Sequence, residues 1–187
     1  IQIATNLFND AIDFKKGADN ETRIGPRRVT QSGLLKETQV WMMALVFVGL
    51  ALFLGYFLVL QGGLPIVALG LVSLFLAYGY TGGPYPLAYL GLGDLFVILF
   101  FGLFAVCGTY YLHTLELSAA ALVAGIQMGF LSTTLIAINN LRDSAGDAKV
   151  NKKTLAVRFG DLFVKWEVLF LVLVTYLMNL YFLVAYN

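Results

Sequence analysis

Charge is what this sequence has least of. Only 12% of its 187 residues are Asp, Glu, Lys or Arg, about half the roughly 25% of a soluble domain. Between Thr38 and Gly93 there is none at all. With 59% hydrophobic residues and a mean hydropathy of +0.81, the composition excludes a soluble globular domain and requires a membrane protein. Cysteine is nearly absent: Cys107 alone rules out an internal disulfide. The net charge of +1 by itself says nothing of partners; no nucleic acid is expected, and the lipid bilayer is the first partner. The chain opens at Ile1 with neither methionine nor a charged n-region, so no signal peptide is expected. It reads as one domain over residues 1–187, incomplete at both ends.

What is there comes in apolar blocks. A bilayer core takes about 20 apolar residues per helix. Ile1 to about Phe14 reads as the final turns of a truncated span, and a polar loop runs from Lys15 to about Gln39. Spans follow at Val40–Leu60, at Pro65 to about Tyr80, at Asp94–Leu112 and at Leu117–Leu141. Gln61–Pro65 and His113–Glu116 are turns. The Gly/Pro/Tyr stretch TGGPYPLAYLGLG (Thr81–Gly93) cannot be a regular helix. Arg142–Lys165 reads as a second polar loop and Trp166–Tyr186 as the last span, with aromatic ends suited to an interfacial belt. The expected fold is all-α, a multi-span transmembrane helix bundle of about five full spans plus the end of one more.

The positive charges fall in two places. Lys15, Lys16, Arg23, Arg27, Arg28 and Lys36 lie in the first polar loop, and Arg142, Lys149, Lys152, Lys153, Arg158 and Lys165 in the second. Counting spans puts both loops, and the 81–93 loop, on one side, which the positive-inside rule makes cytoplasmic.

Two Asn/Asp clusters share that side. Asn139, Asp143 and Asp147 are spaced by four, which on a helix stacks them along one face about 6 Å apart. Asn6, Asn9, Asp10 and Asp13 end another apolar segment in the same manner. Carboxylate and amide oxygens so spaced suit a hard divalent cation such as Mg²⁺, which leaves coordination positions for a phosphate. The flanking Lys and Arg would bind the remaining oxygens of a diphosphate. Solvated loop charges are the plainer reading of either cluster, but they do not explain two matched ones facing the same compartment. Phe and Tyr, 15 and 10 in number, offer ring faces that stabilise a carbocation; for any single ring, helix packing is the more ordinary role. GLGD (Gly91–Asp94) follows no strand and is no dinucleotide fingerprint; Asp94 is expected to N-cap the next helix. His113 reads as a turn residue on the opposite side. Gly49, Gly55, Gly102, Gly108, Gly125 and Gly129 read as close-packing positions.

NLFNDAID (Asn6–Asp13) and NNLRDSAGD (Asn139–Asp147) together resemble the two aspartate-rich motifs of the UbiA superfamily of intramembrane aromatic prenyltransferases. NDAIDFKKGAD followed by RIGPRR, YTGGPYPLAYLGLGD, and GDAKVNKKTLAVRFG narrow the resemblance to the branch that prenylates 1,4-dihydroxy-2-naphthoate in menaquinone or phylloquinone synthesis. Members have about nine helices, of which this chain would cover the end of the second through the seventh. In one place it departs: the superfamily often has a further Asp four residues after the first motif, where this chain has Gly17, its next acid being Asp19.

The resemblance implies an integral membrane enzyme of the bacterial inner (plasma) membrane with its active site facing the cytoplasm, taking a polyprenyl diphosphate and an aromatic acceptor. Asp10, Asp13, Asp143 and Asp147 would be the catalytic, Mg²⁺-holding carboxylates, assisted by Asn6, Asn9 and Asn139. Arg23, Arg142, Lys149 and Lys153 would neutralise the diphosphate, and Tyr80, Tyr85 and Tyr89 would cap the site and orient the acceptor. An allylic cation would be attacked by the carboxylate-bearing ring carbon, with loss of CO₂. Sister acceptors (4-hydroxybenzoate, homogentisate, a chlorophyllide) fit the same residues. A cation transporter would instead place its acids at mid-span, and an assembly protein would leave the matched clusters unexplained.

Overall fold

A computed structural model describes residues 1–19 and 24–186. Every regular element among them is helical: α1 (Gln2–Lys15), α2 (Glu37–Gly62), α3 (Leu64–Gly79), α4 (Gly93–Val97), a π-helical segment (Ile98–Phe104), α5 (Ala105–Thr114), α6 (Ala119–Lys149), α7 (Leu155–Leu177) and α8 (Asn179–Tyr186). The expected all-α bundle is what forms. α4, the π segment and α5 make one 22-residue rod, and this rod, α2, α6 and α7–α8 are each long and apolar enough to cross a membrane, with α3 as a shorter apolar helix. Their outward apolar faces are bare: Leu45, Val46, Phe53, Phe57 and Leu60 of α2 are all exposed, as lipid-facing side chains are.

α6 is the axis, packed between the rod and α7, while α1 packs on α2 and α3. Small residues allow the closest crossing. A Cβ on Gly102 would lie 2.4 Å from the Gly125 carbonyl oxygen and 2.6 Å from Gly129 Cα, and one on Gly129 would lie 2.8 Å from the Ile98 carbonyl oxygen. Gly49 and Gly55 have nothing near them; their expected packing role is not seen, because α2 turns that face outward. On the other side Ala4, Phe8 and Ile12 of α1 form an apolar cluster with Ala44, flanked by Trp41.

Three boundaries differ from the sequence reading. The second polar stretch is mostly helix: α6 runs on through Lys149, the non-helical link is only residues 150–154, and α7 starts at Leu155. Hydropathy marks where the apolar run stops, whereas the backbone continues while no residue breaks it. Thr154 caps α7, accepting from the Val157 amide, and Gly160 (φ 79°) breaks that helix near its start, a conformation glycine tolerates. Asp94 is not the expected N-cap, because α4 already begins at Gly93 with Leu92 before it. Two residues earlier Gly91 takes a positive φ of +73° and passes the Lys153 carbonyl so closely that a Cβ would lie 2.4 Å from its oxygen. His113 stays exposed in the last turn of α5, as a turn residue would.

Candidate active site

The residues around the two clusters converge on one polar cavity of about 440 Å³. α1 contributes Asn6, Asn9 and Asp13; α6 contributes Asn139, Asn140, Arg142, Asp143 and Asp147; the middle loop and α4 contribute Tyr80, Thr81, Gly91, Gly93 and Asp94. On α6 the spacing of four places Asn139, Asp143 and Asp147 on one face of a continuous helix. Asp13 and Asp147 are both buried, 5% and 7% exposed.

Their carboxylates are linked by a lysine. Lys152 Nζ lies 3.5 Å from Asp147 Oδ1 and 3.9 Å from Asp13 Oδ2, so one ammonium stands between the two clusters. Asp13 Oδ1 also accepts from the Tyr89 hydroxyl at 2.8 Å. The Tyr89 ring has Lys16 Nζ 4.0 Å and Lys152 Nζ 5.7 Å from its centroid. Burial first, then the charge and hydrogen bond of Asp13, raise the Tyr89 phenol above its ordinary value; burial and the charges of Asp94 and Asp13 do the same to Tyr80. Both stay protonated donors at neutral pH. Burial lowers Lys16, against the pull of Asp13. Lys16 donates to the Thr81 carbonyl at 2.7 Å, and the Thr81 hydroxyl donates to Asn9 Oδ1.

Asp10 is elsewhere. Its Oδ2 and Oδ1 accept from the backbone amides of Val29 and Thr30 at 3.0 and 3.1 Å, and it does not line the cavity. It fastens the first polar loop onto α1. That loop in turn sends Pro26, Arg27 and Arg28 to the cavity wall. Asp19 is buried with Arg28 Nε 3.4 Å from its Oδ2, while Ala18 rather than Asp19 lines the cavity. Arg142 forks onto its neighbour Asp143 with two 2.8 Å bonds.

Of the other expected site residues, Tyr85 is 77% exposed, and Lys149 and Lys153 are exposed and outside the cavity. Arg23 lies outside the described residues. Among the described residues the cations that face the cavity are Arg27, Arg28, Arg142 and Lys152. Three of these were not singled out as site residues, since a run of basic residues gives no sign of which points inward. The middle loop is latched over the site: Arg158 donates to the carbonyls of Leu90 (2.8 Å) and Lys153 (3.0 Å), and the Lys153 amide donates to the Tyr89 carbonyl at 3.0 Å.

A second cavity of about 440 Å³ adjoins the first, with apolar walls from Leu76, Ala77, Leu87, Phe96, Phe100 and Phe101. Asn6, Asn9, Tyr80 and Ile136 line both. A charged head beside a hydrocarbon tail is the shape of ligand this pair accommodates.

The Asp carboxylates and Asn amides that face the polar cavity offer oxygen ligands, which fits Mg²⁺, and Asp147 Oδ2 is buried with no hydrogen-bond partner among the described residues. Among those residues no three His, Cys, Asp or Glu side chains yet form a metal-binding group.

The chain is 40% identical over 168 residues to the 1,4-dihydroxy-2-naphthoate octaprenyltransferase of Haemophilus influenzae, covering 86% of this chain and 54% of that protein. The proteins of the same name from Mycobacterium tuberculosis and Bacillus subtilis are 38% and 33% identical, over 85% and 86% of this chain and 54% and 51% of their own lengths. The chain thus spans about half the length of the curated relatives it matches. No solved structure matches it. The UbiA prenyltransferase family matches over residues 1–187, and its two Asn/Asp clusters meet across one cavity between apolar helices: the chain belongs to the UbiA prenyltransferase family.

Proposed function

We propose that the protein of which this chain is part transfers a polyprenyl group from its diphosphate to 1,4-dihydroxy-2-naphthoate with loss of CO₂. The observation that carries this is the junction of a polar, acid- and base-lined cavity with an apolar one through Asn6, Asn9, Tyr80 and Ile136. A prenyl diphosphate has that division, and its reacting carbon lies at the boundary between head and tail. The names of the relatives support naphthoate as the acceptor.

Asp13, Asp143 and Asp147, with Asn6, Asn9 and Asn139, would hold Mg²⁺. Bound there, the metal would neutralise charge on the diphosphate and favour its departure. Arg27, Arg28, Arg142 and Lys152 face the same space and would bind its remaining oxygens. Because Lys152 now sits between Asp13 and Asp147, it would turn from carboxylates to phosphate when the donor arrives. Asp10 would act by holding the loop that carries Arg27 and Arg28. Tyr89 would orient Asp13, and the walls of Phe96, Phe100 and Phe101 would keep water from the allylic cation. The cavity would face the cytoplasm of a bacterial inner membrane, since both basic stretches lie at this end.

The test uses the full-length protein in nanodiscs with Mg²⁺, a polyprenyl diphosphate and 1,4-dihydroxy-2-naphthoate, following prenylated product and CO₂. Product that requires Mg²⁺ and disappears in Asp13→Asn and Asp147→Asn is the expected result. Turnover with 4-hydroxybenzoate or homogentisate alone would change the acceptor and keep the mechanism. No turnover with any acceptor from folded protein would overturn prenyl transfer.

A further inference from the structure

Asp94 is a buried acid on the cavity wall that the two-cluster chemistry leaves unused. Asp94, in the first turn of the Gly93–Thr114 rod, is 6% exposed and lines the polar cavity. Its Oδ1 is buried with no hydrogen-bond partner among the described residues. An acid in the first turn of a helix is favoured by the helix dipole. That accounts for its place in the chain and not for a carboxylate oxygen left without a donor at a cavity wall, since buried acceptors are nearly always satisfied.

Its neighbours locate it at the junction of head and tail. A Cβ on Gly93 would stand 2.9 Å from the Tyr80 hydroxyl and 3.7 Å from Ile136 Cδ1, and Tyr80 and Ile136 line both cavities. The absence of a side chain at Gly93 lets the Tyr80 hydroxyl pack against the backbone next to Asp94. A side chain of α6 fixes the backbone of the acid: the Thr133 hydroxyl, fully buried, donates to the Asp94 carbonyl at 3.3 Å.

We propose that Asp94 binds the aromatic acceptor, its unpartnered oxygen accepting from the phenolic hydroxyl next to the ring carbon that is prenylated. This rests on the prenyl-transfer reading. The proton balance follows from the ring chemistry. As the ring carbon gives its electron pair to the allylic cation, the phenolic O–H bond breaks, its proton passes to Asp94, and the ring oxygen becomes a ketone. The prenylated carbon then bears a carboxylate β to that ketone. The C–CO₂ bond breaks, CO₂ departs, and the electron pair moves through the ring to the oxygen, which recovers the proton from Asp94. Asp94 ends as it began, and no oxidant or reductant is required.

The experiment measures binding in full-length protein in nanodiscs with 1,4-dihydroxy-2-naphthoate and 4-hydroxy-2-naphthoate, which lacks the hydroxyl beside the carboxylate. Wild type should bind the dihydroxy compound about 10- to 100-fold more tightly, the worth of a hydrogen bond to a charged group. Asp94→Ala should abolish that preference and leave binding of the prenyl diphosphate within about 2-fold. Equal loss of both naphthoates, or loss of prenyl diphosphate binding, would overturn the proposal. Should Asp94→Ala fail to fold, the isosteric Asp94→Asn and the wild-type preference decide it: a wild type indifferent to the hydroxyl refutes the contact. Naphthoate turnover that survives unchanged in Asp94→Asn overturns this inference alone, whereas a wild type that prenylates no phenol overturns both. If the wild type takes another phenol, the same comparison is made with that phenol and its deoxy analogue.

Discussion

The Tyr89 hydroxyl donates to Asp13 Oδ1 at 2.8 Å across 76 residues of chain. It ties the middle loop to the first acidic cluster, and Lys152 ties that cluster to the second. Removing the hydroxyl frees Asp13 to turn. Tyr89→Phe is expected to lower kcat/KM for the prenyl diphosphate about 10-fold, within the range for a hydrogen bond to a charged acceptor. Thermal unfolding should move little, because the ring and its contacts with Lys16 and Lys152 remain.

The same tyrosine sets an alkaline limit. Its phenol is raised above the ordinary 10.0 by burial and by Asp13, so the folded protein holds that proton more tightly than the unfolded chain. The resulting stability is whole below about pH 10 and is lost as pH rises through the folded value. Melting temperatures measured from pH 8 to 11 should therefore fall less steeply in Tyr89→Phe than in wild type.

Lys152 and its neighbours in sequence are distinguishable. Lys152→Gln should raise KM for the prenyl diphosphate by about 10-fold or more, as the loss of a charge-assisted contact. Mn²⁺ binding without diphosphate, read by electron paramagnetic resonance, should be no weaker, because the competing ammonium is gone. Lys149→Gln and Lys153→Gln, both at exposed side chains outside the cavity, should stay within about 2- to 3-fold, as isolated surface charges do.

Asp10 and Asp13 should separate in their effects although both belong to the first cluster. Asp10→Ala removes the acceptor for the Val29 and Thr30 amides, a local loss of about 2–4 kcal/mol. Limited trypsin digestion should then cut at Arg27 and Arg28 at least 10-fold faster, the opening equilibrium having shifted by that energy. Asp13→Asn should leave digestion unchanged and cost turnover more than the ~10–100-fold of a residue outside the metal shell.

The glycine crossing between the rod and α6 has its own test. Gly102→Ala puts a methyl 2.4 Å from the Gly125 carbonyl oxygen and should cost about 1–3 kcal/mol by overpacking, seen as a lower melting temperature in detergent. Gly49→Ala, with nothing within 4 Å, should be neutral within about 0.5 kcal/mol.

Much of this protein was legible in the sequence. The absence of charge from Thr38 to Gly93 leaves a bilayer as the only solvent that suits the chain, and helix is the form that satisfies the backbone there without a closed barrel. The spacing of four at Asn139, Asp143 and Asp147 set a face on α6, since helical periodicity is local. The even division of basic residues between two stretches placed both clusters at one end. Each of these depends on composition or on residues within a turn of one another.

Tertiary structure decided which members of each cluster face the cavity. Asp10 and Asp13 are three apart and alike in chemistry, yet Asp10 is claimed by the amides of a folded-back loop and Asp13 by Tyr89. Among consecutive lysines, Lys152 turns in and Lys153 out, because the 150–154 link is not helical and its direction is set by contacts with the middle loop. Asp94 looks like a helix cap in sequence and is a cavity-lining acid in space. Pattern determined the helices, their faces and the end of the bundle where the charges gather; side-chain direction depended on partners from other parts of the chain, 19 and 20 residues away for Asp10 and 76 for Asp13, which no local spacing encodes.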